Sequence, residues 1–123
     1  MATQVNLELK NLLPALARTA SANGTGVDLQ GYVNPGGRQM KAYLNTGEAS
    51  GTTPTQDVKI QESADDSTFT DVSGAAFAQQ TTTGSEAIHF RTNKRYVRAV
   101  PTIAGTSPSF TSGCYLLVEK RLT

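Results

Sequence analysis

The sequence predicts an all-β protein: an antiparallel β-sandwich or barrel-like domain with an extended N-terminal arm. Apolar residues recur at every second position in Met40-Lys41-Ala42-Tyr43-Leu44, in Val58-Lys59-Ile60-Gln61 and through Arg95-Tyr96-Val97-Arg98-Ala99. That is the period of a strand with one face in a core and the other in water. Turn-forming clusters rich in Gly, Pro, Asn and Asp separate these runs at short, regular intervals. Tryptophan is absent, and the abundance of Thr, Ser and Gly suits an all-β body with many turns.

At 123 residues the chain fits one domain, large enough to bury roughly two-thirds of its unfolded surface without covalent staples. Residues 1–17 are expected to form the arm and residues 18–123 the single sandwich domain. The arm holds Leu7, Leu9, Leu12, Leu13 and Leu16, interrupted by Pro14. Val5, Leu7 and Leu9 alternate with Asn6, Glu8 and Lys10, which favours an extended strand. Leu9, Leu12 and Leu13 also fall at helical spacing, but Pro14 disfavours a helical Leu13 and blocks continuation past it. The extended segment can be a strand of the domain's own sheet or an arm that docks on a neighbouring subunit; the pattern leaves both open.

Further along, Asn23-Gly24-Thr25-Gly26 supplies residues that accept positive φ, as a tight hairpin requires. Asn34-Pro35-Gly36-Gly37 is a second turn signal, and a strand follows over 39–44. Residues 47–56, rich in Thr and Ser around Pro54, read as a loop. Val58 and Ile60 anchor the next strand, and Asp65-Asp66-Ser67 closes a hairpin into a strand ending at Val72. Phe77 reaches the core from a short following strand. Residues 79–85 are turn-like, and alternation resumes through Ile88 and Phe90. Pro101 marks an edge or a bulge in the strand over 95–103. A turn over 105–109 leads to a final strand over 110–119. The total is seven to nine short strands.

The residues assemble no catalytic constellation. His89 is the one histidine, and it alternates with Ile88 and Phe90, so it faces away from the core they mark. Cys114, the one cysteine, lies in the apolar run Gly-Cys-Tyr-Leu-Leu-Val, where a small buried hydrophobe is the expected role. A nucleophile needs a base within hydrogen-bond reach, and a zinc site needs three or four Cys or His ligands. No cofactor-binding motif is present, and an enzyme is not expected. Asp65, Asp66 and Asp71 cluster oxygen ligands of the kind calcium takes, but a structural turn is the favoured reading. Eleven basic against ten acidic residues argue against nucleic acid or an anionic membrane as the main partner. No apolar stretch is long enough to cross a bilayer. The N-terminus lacks a basic start followed by an apolar block, so synthesis in a cytoplasm is expected. The run Arg91-Thr92-Asn93-Lys94-Arg95-Tyr96-Val97-Arg98 serves either as a solvated strand face or as a contact for an acidic protein surface.

Three segments carry a family likeness: Asn-Gly-Thr-Gly-Val-Asp-Leu-Gln-Gly-Tyr, Val-Lys-Ile-Gln-Glu-Ser-Ala-Asp-Asp-Ser-Thr-Phe-Thr-Asp-Val and Lys-Arg-Tyr-Val-Arg-Ala-Val. Over residues 18 to 110 the chain resembles small all-β head decoration, or cement, proteins of tailed bacteriophages. Members usually read Asp-Gly where this chain has Asp66-Ser67. The resemblance implies a virion structural protein on the capsid exterior, bound at junctions between major capsid protein subunits and commonly trimeric. It implies no catalytic residues and no cofactor. Val5, Leu7, Leu9, Leu12 and Leu13 of the arm are the leading candidates for protein contact, followed by Arg91, Lys94, Arg95 and Arg98. Two further readings are a carbohydrate-binding module displayed on a virion and a tail or connector component. The first is weakened by the lack of tryptophan, which leaves Tyr32, Tyr43, Tyr96, Tyr115 and four phenylalanines for stacking.

Overall fold

The computed structural model describes residues 6–30 and 39–120. It is all-β and antiparallel as expected, a six-stranded sheet not closed into a barrel, with no helix among the described residues. The strands are β1 (Asn6–Arg18), β2 (Val27–Asp28), β3 (Gln39–Ser63), β4 (Thr70–Ala76), β5 (Gly84–Arg91) and β6 (Tyr96–Lys120).

The frame is the pair β3 and β6, each 25 residues long. They run antiparallel along nearly their whole length, from Lys41↔Leu117 to Ser63↔Tyr96. The expected loop over 47–56 and turn over 105–109 are both corrected: these residues remain inside β3 and β6. The two segments, Gly51-Thr52-Thr53-Pro54 and Gly105-Thr106-Ser107-Pro108, lie opposite each other with Thr52 paired to Thr106. Gly51 (φ 111°), Thr53 (φ 46°), Gly105 (φ 120°) and Ser107 (φ 49°) take matching left-handed conformations. Turn residues that would reverse a lone chain here bend two paired strands together, and the register shifts between Ser50 and Thr55 record that bend.

The shared bend divides the sheet into two halves. In the first, the order is β1, the second half of β6, the first half of β3, then β5. In the other, β2 pairs the start of β6, whose partner is the second half of β3, which in turn pairs β4. This explains the strand count: four of the expected short strands are halves of two long ones. One buried cluster draws on both halves, including Leu12, Leu13, Ala42, Leu44, Phe90, Cys114 and Leu116 from the first and Val58, Ile60, Val72, Val97 and Ala99 from the second. Within β3 and the first part of β6 the inward positions are the alternate residues that the period of two marked out, whereas Leu12 and Leu13 are consecutive.

Of the readings left open for the N-terminal segment, Asn6–Arg18 is seen as a strand of its own chain's sheet, paired antiparallel with β6. Asn23–Gly26 forms no hairpin: residues 21–26 are irregular, and the following β2 pairs β6. Gly24 instead allows a close approach, its N–H donating to the Ala99 carbonyl at 2.8 Å, where a Cβ would sit 2.7 Å from the Leu12 carbonyl oxygen. The turn expected at Asn34–Gly37 lies outside the described residues. The Asp65–Ser67 hairpin joins β3 to β4, with Glu62 paired to Thr70. Pro101 sits opposite Val58, on a stretch of β6 whose other side β2 covers only at Tyr96–Val97. A residue without an N–H fits such an edge.

Candidate protein- and ligand-binding faces

β1 pairs with β6 alone among the described residues, so one side of this 13-residue strand is an unpaired edge. Such an edge presents a row of main-chain donors and acceptors to any incoming chain. Leu12 and Leu13 point inward, 1% and 3% exposed, and fasten the strand to the core. Leu9 and Leu16 point outward, at 62% and 48% exposure the large apolar side chains left in solvent among the described residues. The Leu12-to-Leu16 stretch carries register shifts, as a strand bearing Pro14 would. The Arg18 guanidinium closes its end, donating to the Pro14 carbonyl and to the Ser112 carbonyl. Burial pulls the Arg18 pKa down from its usual value. The predicted contact residues of the arm are therefore split. Leu9 is outward, Leu12 and Leu13 are in the chain's own core, Leu7 is paired in register with Glu119, and Val5 lies outside the described residues.

The basic run is also spread out. Arg91 is exposed at the end of β5, Lys94 and Arg95 lie in the connection to β6, and Arg98 is on β6 itself. Arg95 forms a two-pronged pair with Asp28, Nε to Oδ1 at 2.9 Å and Nη2 to Oδ2 at 2.8 Å. That pair, with the Gln30 N–H, holds the Asp28 carboxyl down at about 2. Arg98 stacks over the Phe69 ring at 4.0 Å and donates from Nε to Gln61 Oε1 at 2.9 Å. Asp65 and Asp71 are committed to protein partners too. Asp65 Oδ1 accepts from the Thr68 and Ser67 N–H groups at 2.9 and 3.0 Å and from the Ser63 hydroxyl at 2.9 Å. These bonds, the Thr68 N–H first, lower its pKa. Asp71 accepts from Gln61 at 2.9 Å and pairs with Lys59.

These pairings make the two outer faces of the sheet unlike. On the second half, Lys59, Asp71, Gln61 and Arg98 form a chain of mutual polar contacts. On the first half, the outward residues form rows across four strands: Leu9, Leu117, Lys41 and His89 in one, Asn11, Tyr115, Tyr43 and Ala87 in the next. Leu9, Tyr43, Asn45, Tyr115 and Leu117 line a shallow depression there. Tyr115 lies down across the sheet: a Cβ built on Gly113 would meet its phenolic oxygen at 2.7 Å and its ring carbon at 3.1 Å. The Lys41 ammonium is 5.1 Å from the centre of the neighbouring Tyr43 ring. Alternation places Tyr43 and Tyr115 on an outward face, but their pairing joins positions 72 apart in the chain, which the sequence read alone does not bring together.

His89 is exposed on β5, and Cys114 is buried on β6 with its thiol pushed up to about 12 by desolvation. A thiol in that state stays protonated near neutral pH and is a poor nucleophile.

No protein-family model matches this sequence, and no curated protein matches it significantly. Solved structures do share the fold. The chain is similar to the SPBc2 prophage-derived protein YomS (TM-score 0.57, 9% identity), with 98% of each chain covered. It is similar to the PBSX exported protein XepA (TM-score 0.58, 18% identity), covering 94% of this chain and 38% of that one. It is also similar to the infectious bursal disease virus VP2 subviral particle (TM-score 0.54, 11% identity), covering 96% of this chain and 33% of that one.

Proposed function

We propose that this chain is a virion structural protein that decorates and stabilises an icosahedral phage capsid, binding at junctions between major capsid protein subunits as a trimer. The observation that carries the reading is the exposure of Leu9 and Leu16 on β1, whose outer edge is unpaired among the described residues. Residues 1–17 then serve as the attachment element of the body formed by 18–123. Leu12 and Leu13 hold the strand in place, while Leu9, Leu16 and the main-chain edge left unpaired among the described residues meet a neighbour by strand addition and apolar contact. Arg91 and Lys94, both exposed, supply second contacts to an acidic surface. Three modest contacts held on one trimer act at high effective concentration, so each can be weak and the whole retained. A fold shared along the whole length of a prophage-derived protein, and with part of a chain that forms a viral particle, supports the same reading.

The test is the place and copy number of the chain in intact particles. Regular density over the outer shell near threefold positions is expected, with particles lacking the chain breaking at lower temperature. Density confined to one vertex or to the tail would replace this reading with a connector or tail component.

A further inference from the structure

We propose that the outer face of the first sheet half is a platform for an acidic saccharide, with Tyr115 and Tyr43 stacking against pyranose rings and Lys41 and Arg91 meeting sugar carboxylates. This goes beyond attachment to a shell and does not depend on it.

The platform is built by a missing side chain. Because position 113 is glycine, the Tyr115 ring lies along the sheet instead of standing off it; a Cβ there would reach within 2.7 Å of the phenolic oxygen. A ring lying flat presents its π-face outward, the surface against which the C–H edges of a pyranose pack. An aromatic anchor of a protein interface instead projects into a pocket of its partner. Tyr43 is the cross-strand partner of Tyr115, so the two side chains start roughly 5 Å apart at Cβ and together span more than one ring. Beyond Tyr43 the next position in the row is Ala87, which leaves the platform open on that side for a chain to continue. The floor is apolar, with Leu9 and Leu117, and uncharged amides of Asn11 and Asn45 stand in adjoining positions. A few polar groups around an apolar floor suit a ligand that is itself part C–H and part hydroxyl.

Charge selects the kind of saccharide. Lys41 lies in the row next to that of Tyr43 and Tyr115, neither row contains a carboxylate, and Arg91 stands two residues beyond His89 on β5; Glu119, paired with Leu7, falls one row further out. Lys41 already sits 5.1 Å from the Tyr43 ring centre, so a sugar stacked on that ring brings its carboxylate to the ammonium. The opposite outer face offers no such charge, because Lys59 and Arg98 are engaged with Asp71, Gln61 and Phe69.

The experiment is a titration of the full-length ¹⁵N-labelled protein with an alginate hexamer, with cellohexaose and a dT hexanucleotide as comparison probes. Shifts are expected at the amides of Tyr43, Asn45, Gly113 and Tyr115. Tyr115→Ala and Lys41→Gln should each weaken binding about tenfold, and added salt should weaken it further. Gly113→Ala, which keeps both tyrosines but lifts the ring, should weaken it as well. Lys41→Gln changes an outward residue only, so its result stands even where a glycine variant folds poorly. Absence of shifts at these amides at millimolar hexamer overturns the proposal. So does equal binding of the dT hexanucleotide, which would make the face a general anion site, or equal binding of cellohexaose, which would remove the charge selection. Retention of Tyr115→Ala protein on particles separates this result from the fate of the capsid reading.

Discussion

Gly51 and Gly105 occupy equivalent places in two bends that interlock. A Cβ on Gly51 would lie 2.6 Å from the Ser107 carbonyl oxygen and 2.9 Å from the Pro108 Cα; one on Gly105 would lie 2.8 Å from the Thr53 carbonyl oxygen and 2.9 Å from the Pro54 Cα. Each glycine faces the Thr-Pro or Ser-Pro step of the opposite strand, so the bends have a local twofold relation centred on Thr52↔Thr106. The bend is what lets one continuous pair of strands serve both halves of the sheet.

Replacing either glycine by alanine therefore meets two penalties, a positive φ that side chains resist and a Cβ driven into backbone. We expect Gly51→Ala and Gly105→Ala each to lower stability by about 1–3 kcal/mol. Urea midpoints at unchanged slope would report it. The two changes press on the same backbone, so the double variant should depart from additivity. Silent single variants would mean that the bend is not held by this contact.

Next to the bend lies a buried polar knot. Gln56 is fully buried; it accepts from the Ser112 hydroxyl at 2.9 Å, and its amide lies 3.3 Å from both Thr46 Oγ1 and Gln80 Oε1. Main-chain bonds at 2.8 Å in both directions tie Gln56 to Gln80. Gln56→Leu keeps the bulk but leaves the Ser112 hydroxyl without its acceptor in a buried site. A cost of about 1–3 kcal/mol is expected in chemical denaturation. A neutral result would indicate that a water takes over the bonds.

Much of this architecture was readable from alternation alone. Ala42, Leu44, Val58, Ile60, Val97 and Ala99 all face inward as the period of two requires. Cys114 is buried and His89 exposed, each following from its neighbours. The turn chemistry misled where two turn-like segments met. Gly51-Thr-Thr-Pro and Gly105-Thr-Ser-Pro each read as a chain reversal, but their pairing across 54 residues turns both into bends of a longer strand. Pairing of that range is set by the whole sheet and leaves no local mark. The Tyr43–Tyr115 pair was hidden for the same reason. Leu12 and Leu13 had the opposite difficulty: register shifts around Pro14 bring two consecutive leucines to the core side, which strict alternation forbids.

The leucines of β1 separate packing from attachment. Leu12, 1% exposed, should cost about 2–5 kcal/mol when cut to alanine. Leu16→Ala should leave the melting temperature nearly unchanged, since that side chain is 48% exposed. Under the capsid reading, Leu16→Ala and Leu16→Lys should nevertheless reduce retention on particles, measured by co-sedimentation. Full retention of Leu16→Lys would move the attachment surface away from this edge.

The Asp28–Arg95 pair gives the molecule an acid-sensitive tie between β2 and the start of β6. Asp28 has its pKa lowered to about 2, chiefly by the Arg95 hydrogen bonds. In the unfolded chain the same carboxyl titrates near its ordinary value of about 3.9. Between those pH values the unfolded state binds the extra proton, so stability falls as the solution is acidified. The contribution is whole above about pH 4 and is lost as pH drops through about 2. Asp65 and Asp71, whose pKa values are also lowered, add acid sensitivity in the same direction. Both partners of the pair are exposed, so salt should shrink the effect. Carboxyl ¹³C titration should place Asp28 well below the ordinary carboxylate range, and Arg95→Gln should return it toward the ordinary value. Asp28→Asn should flatten part of the stability slope between pH 4 and 2. An Asp28 that titrates normally in the wild-type protein would show that the two-pronged pair does not persist in solution.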